Sequence, residues 1–321
     1  MSAPRPVRWG FLGAGFIASH ALGPAVHAAD GAVLHAVGAR DPGRAQALEP
    51  AGPIGSYADV CTNQDVDAVY IALANDDHMR WVRFALECGK HVLCEKPLGL
   101  DAQEVAIMTA DAHSRGLLLV EASWNRWHPR TRRFEELIAD VAGPRDVRAW
   151  FTFPAVPADN YRLDPTRGGG ALLDVGCYTT SAVLSALDAD EVSVARVDRH
   201  VGPTGVDLTT TAVLTHANGS GTITASFEQP ESQGIAFTAP GMSVEFSGEA
   251  FTTWHQPCTL RIAEGGEWRE EAFAACDPYR LMVEAVSARI RGEDAWVLPL
   301  STSALVATAL DQIAATPTSD A

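Results

Sequence analysis

The features that this sequence lacks exclude several classes of protein. Its six cysteines are scattered singly and form no C-x-x-C pair, which argues against a zinc knuckle or a thioredoxin-like redox site. Cysteines spaced so widely in a chain of 321 residues do not indicate a disulfide scaffold, and reduced thiols fit better. No group of His, Asp and Glu residues has the spacing of metal ligands, so no bound metal is expected.

Basic residues are the minority of the charges. The chain has 24 Lys and Arg against 40 Asp and Glu, a net charge of -16, which is unsuited to nucleic acid or an anionic membrane as partner. No apolar run is long enough to cross a bilayer. The basic N-terminus before Trp9–Ala18 imitates a signal peptide, but three glycines interrupt that stretch. A cytoplasmic protein is therefore expected.

The first motif that is present is a glycine-rich turn between a strand and a helix. An apolar strand, Val7–Leu12, runs directly into a G-x-G-x-x-A pattern that ends at Ala18. The first glycine permits the tight turn, the second lets a pyrophosphate approach the backbone, and the helix that follows offers free N–H groups. The pattern predicts a dinucleotide site formed by Gly13, Gly15, Phe16 and Ile17.

The end of the second strand predicts which dinucleotide binds. NAD-binding units usually place an acidic residue about 20 residues beyond the glycines, where it holds the ribose 2′-hydroxyl. Here the strand over residues 33–39 ends at Ala39 and is followed by Arg40 and Asp41. The missing acid and the guanidinium favour the 2′-phosphate of NADP, with NAD as the alternative, and Arg44 is placed to assist. The other interpretation is that Arg40 pairs with Asp41 on the surface.

The next strand, over residues 67–73, ends in residues that suit a cofactor site. Leu73 closes the strand, and Asn75 and His78 follow it. Asn75 at such a position either caps the following helix or faces the nicotinamide ribose. His78 is expected near the cofactor, not as a catalyst.

A carboxylate, an ammonium and a proline end the strand that begins at His91. Glu95 and Lys96 follow this strand directly, and Pro97 ends it because proline cannot donate to a sheet ladder. Ligands of an open parallel sheet bind at the carboxyl ends of its strands, so both residues are candidates for the cofactor site. The alternative is a solvated charge pair. Strands and helices alternate up to residue 122 and predict a doubly wound Rossmann domain over residues 1–122.

The remaining residues, 123–321, predict an α+β domain with a large, mostly antiparallel, open-faced sheet. Trp124 and Arg126 open this region, and Asn160 and Arg162 lie in a polar loop within it. These four are candidates for substrate binding. Trp124 is alternatively a core residue, and Arg126 alternatively bonds at the domain joint.

Three glycines at 168–170 precede two candidate catalytic residues. The glycines favour close approach to a ligand, and the residues after them predict a helix. Asp174 and Tyr178 are four residues apart and share one face of that helix. Two simpler interpretations stay open: Asp174 pairs with a neighbouring arginine, or Tyr178 is a buried core residue.

These motifs, in this order, resemble the Gfo/Idh/MocA oxidoreductases over nearly the whole chain. The landmarks are Gly13–Ala18, Cys94–Pro97, Arg126–Pro129 and Gly168–Asp174. Within the family, the chain is most similar to the dihydrodiol dehydrogenase, xylose dehydrogenase and sugar 3-ketoreductase branch, through Ala39–Asp41, Glu121–Trp124 and Tyr178. Tyr178 stands where inositol-dehydrogenase-like members carry histidine.

The resemblance implies an NADP-dependent oxidoreductase acting on a sugar, sugar derivative or cyclic diol. It implies that Lys96 and Tyr178 flank the nicotinamide, that the Lys96–Pro97 bond is cis, and that the protein is a homodimer or homotetramer. An ammonium beside a phenol favours the phenolate, so Tyr178 is the expected general acid/base, tuned by Lys96, with Lys96 itself as the alternative proton carrier. Asp174 is expected to orient Lys96 or the substrate hydroxyls. The competing function is a cofactor-sensing regulator without turnover.

Overall fold

The computed structural model describes residues 5–318, which divide into two compact units. The first contains residues 5–99, Gln103–Trp127 and Asp277–Ser303. The second contains Leu100–Ala102, His128–Cys276 and residues 304–318. The predicted domain boundary after residue 122 stays a prediction. The first unit also contains Asp277–Ser303, which the sequence pattern assigns to the second domain.

Fourteen strands and ten α-helices are present within residues 5–318. The strands are β1 Val7–Leu12, β2 Ala32–Gly38, β3 Ile54–Gly55, β4 Ala68–Ile71, β5 His91–Cys94, β6 Leu119–Glu121, β7 Arg145–Thr152, β8 Ser193–Val201, β9 Asp207–His216, β10 Gly219–Ser226, β11 Ser232–Ala239, β12 Met242–Ser247, β13 Cys258–Glu264 and β14 Glu267–Phe273. The helices are α1 Gly23–Ala28, α2 Pro42–Gln46, α3 Tyr57–Thr62, α4 His78–Glu87, α5 Ala102–Arg115, α6 Pro129–Ile138, α7 Ala171–Asp174, α8 Gly176–Leu187, α9 Pro278–Ile290 and α10 Leu300–Ala315.

The first unit is built on a six-stranded parallel sheet in the order β3-β2-β1-β4-β5-β6. This doubly wound arrangement confirms the predicted fold class. The strand order reverses between β1 and β4, and the carboxyl ends of strands at such a point form the ligand crevice of this class. The central strands are apolar along their length because both faces of a parallel sheet are buried, and Trp9, Phe11 and Ile71 are fully buried in them.

The helix α9 packs within the first unit through hydrogen bonds that local sequence patterns do not reveal. The indole Nε1 of buried Trp9 donates to Ser287 Oγ at 3.1 Å. Arg291 Nη1 donates to the carbonyl of Gly31 at 2.9 Å. These bonds join residues far apart in the chain, so a single sequence boundary cannot describe the unit.

The second unit is built on an eight-stranded sheet in the order β14-β13-β12-β11-β7-β10-β9-β8. Only β7 and β10 pair in parallel, from Arg145–Gly219 to Thr152–Ser226, and the other neighbours are antiparallel. The predicted, mostly antiparallel sheet is confirmed. The helix α8 lies against β7 and β10. A Cβ on Gly221 would come within 2.3 Å of Val183 Cγ1, so this glycine permits the close packing of helix on sheet.

One buried arginine, Arg145, donates hydrogen bonds to carbonyls at the C-terminal ends of two helices of the second unit. Arg145 Nη1 donates to the carbonyl of Ala186, in the last turn of α8, at 2.9 Å. Its Nη2 donates to the carbonyl of Ile138, the last residue of α6, and to that of Val141 just beyond it, at 3.2 Å each. Carbonyls at helix ends have no partner within the helix, and a cation is favourable beside them. Arg145 therefore fixes both helices to the start of β7.

No single helix within residues 5–318 is long and apolar enough to cross a membrane, although the bent pair Pro165–Asp174 and Gly176–Leu187 meets that test by length and composition alone.

Candidate active site

The glycine-rich turn lies between β1 and β4 and leaves space for a ligand. Gly13 has a φ of +102°, and a Cβ there would lie 2.4 Å from the carbonyl oxygen of Ala72. Close approach of the turn to β4 therefore requires glycine at this position. At Gly15 a Cβ would meet nothing within 4 Å. The open space above Gly15 is where the pyrophosphate of a dinucleotide would approach, so the residues present fit such a cofactor.

The helical segment after this turn contains one wide turn, Ala18–Leu22, ahead of α1. Gly23 N–H donates to the carbonyl of Ala18, five residues earlier. Pro24 has no N–H and cannot continue the ordinary hydrogen-bond ladder, which accounts for the local widening. Phe16 is 69% exposed and stacks on His20 with ring centroids 4.3 Å apart. Ile17 lies beside it at the start of the helical segment.

Arg40 has an exposed side chain just beyond the end of β2. The neighbouring Asp41 carboxylate caps α2, because its Oδ1 accepts from the N–H groups of Gly43 at 2.8 Å and Arg44 at 3.2 Å. No hydrogen bond or ion pair of the Arg40 guanidinium is found within residues 5–318. The alternative prediction, a surface pair with Asp41, is therefore wrong, and both Arg40 and Arg44 face solvent.

Asn75 and His78 follow β4 in a short turn. Asn75 is buried and begins a 3-10 turn, Asn75–Asp77, while Asp77 occupies the N-cap of α4. His78 is fully buried, with Nδ1 2.9 Å from the carbonyl of Pro97 and Nε2 3.3 Å from that of Leu73. Burial lowers the pKa of His78 below its ordinary value. Both ring nitrogens face backbone carbonyls, so the side chain holds two loops together and has no surface of its own for a cofactor.

Glu95 and Lys96 lie at the carboxyl end of β5, beside the ends of β4 and β6. Glu95 is buried and accepts a hydrogen bond from the hydroxyl of Tyr70 at 2.6 Å. Burial raises the pKa of the Glu95 carboxyl, while the Tyr70 bond and the Lys96 ammonium oppose that rise. The alternative of a solvated charge pair is therefore wrong for Glu95. The Lys96–Pro97 peptide bond is cis, as the resemblance implies.

A second buried carboxylate, on Glu121, was missed as a site residue by sequence reasoning. Glu121 ends β6, pairs in register with Cys94, and accepts the N–H of Leu98 at 3.0 Å. Burial raises the pKa of Glu121, and the hydrogen bonds with Ser303 and Leu98, followed by the charges of Lys96 and Arg126, oppose that rise. The available signal is the position of an acidic residue at the end of the strand next to β5.

Trp124 and Arg126 follow β6 in a 3-10 turn, Trp124–Trp127. Trp124 is 5% exposed and stacks on Tyr279 of α9, with ring centroids 4.4 Å apart and planes inclined by 18°. This arrangement supports the alternative that Trp124 is a core residue of the first unit. Arg126 is also buried, and its charge acts on Glu121.

The second unit carries the other predicted residues. Arg162 Nε donates to Asp174 Oδ2 at 2.6 Å, and the Asp174 side chain is 9% exposed. The interpretation of Asp174 as the partner of a neighbouring arginine is therefore correct. Asn160 caps the turn that holds Arg162, because its Oδ1 accepts from Arg162 N–H at 3.0 Å. Asn160 thus supports Arg162 within the loop.

The helix predicted to carry both Asp174 and Tyr178 is interrupted between them. Val175, with φ -117° and ψ -20°, separates α7 from α8, and the segment Pro165–Asp174 is inclined by 46° to Gly176–Leu187. The prediction of one continuous helical face is wrong. Burial lowers the pKa of the Arg162 guanidinium, but Asp174, then Tyr161 and least of all Tyr178 raise it, and the net change is an increase.

The glycine run before Asp174 contacts protein, not open space. A Cβ on Gly169 would lie 2.6 Å from the carbonyl oxygen of Arg162, and one on Gly170 would lie 2.1 Å from Asp207 Oδ1. The prediction that these glycines serve close approach to a ligand stays a prediction, and the contacts of Gly169 and Gly170 give them a packing role as well. They let the loop of Arg162 fold back on the residues that precede α7.

Tyr178 lies in the first turns of α8 and is 8% exposed. Its ring packs against Phe151 and Phe251, each with a centroid distance of 5.8 Å. An apolar ring environment with a guanidinium nearby is compatible with both predictions for this residue, the catalyst and the buried core tyrosine. No group of three or more His, Cys, Asp or Glu residues in the described part of the chain could hold a metal ion.

Similarities to known proteins cover both units. Residues 7–123 match the family described as "Oxidoreductase family, NAD-binding Rossmann fold", and residues 140–251 match the "GFO/IDH/MocA C-terminal domain". The chain is 35% identical to D-xylose 1-dehydrogenase (NADP(+)) 2 of Haloferax volcanii over 285 residues, which are 86% of this chain and 87% of that protein. It is 35% identical to the trans-1,2-dihydrobenzene-1,2-diol dehydrogenase of Homo sapiens over 219 residues, 65% of this chain and 64% of that protein.

Solved structures agree with these sequence similarities. The 3-ketoreductase KijD10 of Actinomadura kijaniata, solved with NADP and TDP-benzene, superposes with a TM-score of 0.87 at 26% identity, over 96% of each chain. The aldose-aldose oxidoreductase of Caulobacter crescentus has the same TM-score at 19% identity, over 97% of each chain, which shows the common fold. The chain belongs to the Gfo/Idh/MocA family and is an oxidoreductase with an NAD(P)-binding Rossmann domain.

Proposed function

We propose that this protein transfers a hydride between NADP(H) and a secondary hydroxyl or ketone of a sugar, sugar derivative or cyclic diol. The observation that carries the cofactor assignment is Arg40, which is exposed at the end of β2 while Asp41 caps α2. A guanidinium suits a 2′-phosphate, whereas an acidic residue would suit the free 2′-hydroxyl. The relatives named above are a D-xylose dehydrogenase, a dihydrobenzenediol dehydrogenase and a 3-ketoreductase, and these names share a hydroxyl or ketone as the reacting group.

The proposed proton transfer uses Tyr178 as general acid/base. When bound, the nicotinamide would supply or accept the hydride. The Lys96 ammonium would hydrogen-bond the reacting oxygen and favour the phenolate of Tyr178. Lys96 remains the alternative proton carrier. Solved KijD10 variants replace a tyrosine by phenylalanine or a lysine by alanine, the same two residue types.

Asp174 has a proposed part in substrate orientation together with Arg162. The 2.6 Å ion pair holds the Arg162 side chain, from its loop, against the Asp174 side chain at the end of α7. A pair of this kind suits the vicinal hydroxyls of a sugar or diol, because it offers donors and acceptors side by side.

We further propose that the protein is a homodimer or homotetramer. Light scattering after gel filtration would test this proposal, and a monomeric mass would contradict it.

The cofactor proposal is tested by titrating the protein with NADPH and NADH and following energy transfer from tryptophan. NADPH is expected to bind at micromolar concentration and far more tightly than NADH. Arg40→Ala should weaken NADPH binding at least tenfold and leave NADH binding unchanged. Arg115→Ala, an exposed arginine at the end of α5, is the matched control for loss of one positive charge. Equal binding of the two nucleotides would contradict the NADP assignment.

The proton-transfer proposal is tested with the same protein on D-xylose and a trans-dihydrodiol. A correctly placed acid/base is worth roughly 10²- to 10⁴-fold in rate. Tyr178→Phe and Lys96→Ala should each lose activity in that range while NADPH binding of Tyr178→Phe is retained. Turnover by Tyr178→Phe close to that of the wild type would remove Tyr178 from the mechanism and move the proton to Lys96.

A further inference from the structure

The turn that carries Lys96 lies beyond the hydrogen-bond ladder of its own sheet. Glu95 N–H donates to the carbonyl of Ile71 at 3.0 Å, and Ala122 N–H donates to the carbonyl of Cys94 at 2.7 Å. Both bonds lie at the carboxyl end of β5, where the strand stops at Cys94. Pro97 has no N–H to contribute. Side chains of neighbouring elements bond the backbone of this turn at Pro97 and Leu98.

Glu121 holds this turn from the side of β6. Its Oε1 accepts the N–H of Leu98 at 3.0 Å, and its side chain is buried, with a residue exposure of 6%. The carboxylate lies within the electrostatic reach of both Lys96 and Arg126. A charged acceptor in a buried place makes a stronger hydrogen bond than a neutral one. Glu121 thus fixes the residue two positions after Lys96.

His78 holds the same turn from the side of α4. Its Nδ1 lies 2.9 Å from the carbonyl of Pro97, the residue directly after Lys96, and its Nε2 lies 3.3 Å from the carbonyl of Leu73. A neutral imidazole carries a single N–H, and burial favours the neutral ring. The shorter contact, to Pro97, is therefore the hydrogen bond that the neutral ring donates. His78 ties the Lys96 turn to the end of β4, beside the glycine-rich turn.

We propose that His78 and Glu121 are positioning residues that hold the turn from Lys96 to Leu98 on both sides and so place the Lys96 ammonium for the reaction. Neither side chain needs to touch the substrate. The inference rests on the proposed role of Lys96. A displacement of about 1 Å at a reacting group costs about 10²-fold in rate. The two side chains therefore matter for turnover more than their contribution to stability would suggest.

The experiment compares variants that keep or remove each hydrogen bond. Glu121→Gln keeps an acceptor oxygen for Leu98 N–H, and Glu121→Ala removes it. His78→Asn keeps an N–H donor near the position of Nδ1, and His78→Leu keeps a similar volume without a donor. We expect Glu121→Ala and His78→Leu to lower kcat about 10²-fold with KM for NADPH within about threefold of the wild type. The matched Gln and Asn variants should regain most of that loss.

Lys96→Ala, measured beside these variants, separates the two proposals. If Lys96→Ala keeps wild-type turnover, the proposed function of Lys96 fails. If Lys96→Ala is inactive while Glu121→Ala and His78→Leu turn over like the wild type, the positioning inference alone is refuted. Glu121→Gln being as slow as Glu121→Ala also refutes it, because the hydrogen bond to Leu98 would then not be the cause. Should Glu121→Ala fail to fold, the His78 pair decides.

Discussion

The start of α6 makes the second unit sensitive to acid. His128 is the N-cap of this helix, and its Nδ1 accepts the N–H of Arg130 at 3.0 Å. The residue is 3% exposed. Burial, assisted by the Arg130 guanidinium, lowers the pKa of His128 from 6.5 to about 4. Protonation would bury a second positive charge and remove the acceptor that caps the helix.

The magnitude follows from the pKa difference between the folded and unfolded chain. The folded pKa is the lower one, so the stabilisation is complete above pH 6.5 and is lost as the pH falls toward 4. A gap of this size corresponds to about 3 kcal/mol in total, at about 1.4 kcal/mol per pH unit. Between pH 7 and pH 5 the loss from His128 is about 2 kcal/mol.

Urea unfolding of the wild type and His128→Asn at pH 7 and pH 5 tests this reasoning. Asparagine is a strong N-cap and does not titrate. When the pH is lowered from 7 to 5, the free energy of unfolding of the wild type should fall by about 2 kcal/mol more than that of His128→Asn. All other titrating groups are common to both proteins, so their contributions to the pH dependence cancel in the comparison. His113→Asn, at an exposed position of α5, is the control for loss of a histidine. Equal losses in the wild type and His128→Asn would refute the assignment.

Three further outcomes are expected. Gly15→Ala should keep the wild-type melting temperature but weaken NADPH binding at least tenfold, because its Cβ would meet no protein atom within 4 Å yet would occupy the ligand space. Gly13→Ala should weaken binding and also lower the melting temperature, because its Cβ would lie 2.4 Å from a backbone oxygen. Arg145→Met should lower the free energy of unfolding, measured by urea, by about 2–4 kcal/mol, because two buried carbonyls and one partly buried carbonyl lose their donor; a change below about 0.5 kcal/mol would contradict this role.

Much of the first unit could be predicted because its signals are local. The strand before Gly13 and the strand before Glu95 are short apolar runs with a clear end, and the parallel sheet follows from their alternation with helices. The position of Lys96 just beyond β5 is predictable for the same reason, since it depends only on where the strand stops. The exposed position of Arg40 after β2 is likewise a local feature, and its role in binding the cofactor stays a prediction.

The errors arise where contacts between distant residues decide the structure. Gly169 and Gly170 pack against Arg162 and Asp207, which are contacts that the local glycine pattern does not reveal. The break at Val175 was missed although Gly176, a weak helix former, follows it directly. Glu121 was overlooked because its importance comes from Leu98, across a strand pair and 23 residues earlier.

The ion pair of Arg162 and Asp174 changes how the charge near Tyr178 should be understood. The proposed mechanism counts Lys96 as the cation that tunes the phenol, but Tyr178 also contributes, weakly, to the electrostatics of Arg162 within the second unit. That guanidinium is bonded to Asp174 at 2.6 Å, so its net effect on a neighbouring phenol is that of a dipole and falls off faster than a full charge. Breaking the pair by removing Asp174 would expose the full positive charge of Arg162, and removing Arg162 would leave a buried carboxylate. Asp174 and Arg162 therefore have to be varied together before either is assigned a separate catalytic role.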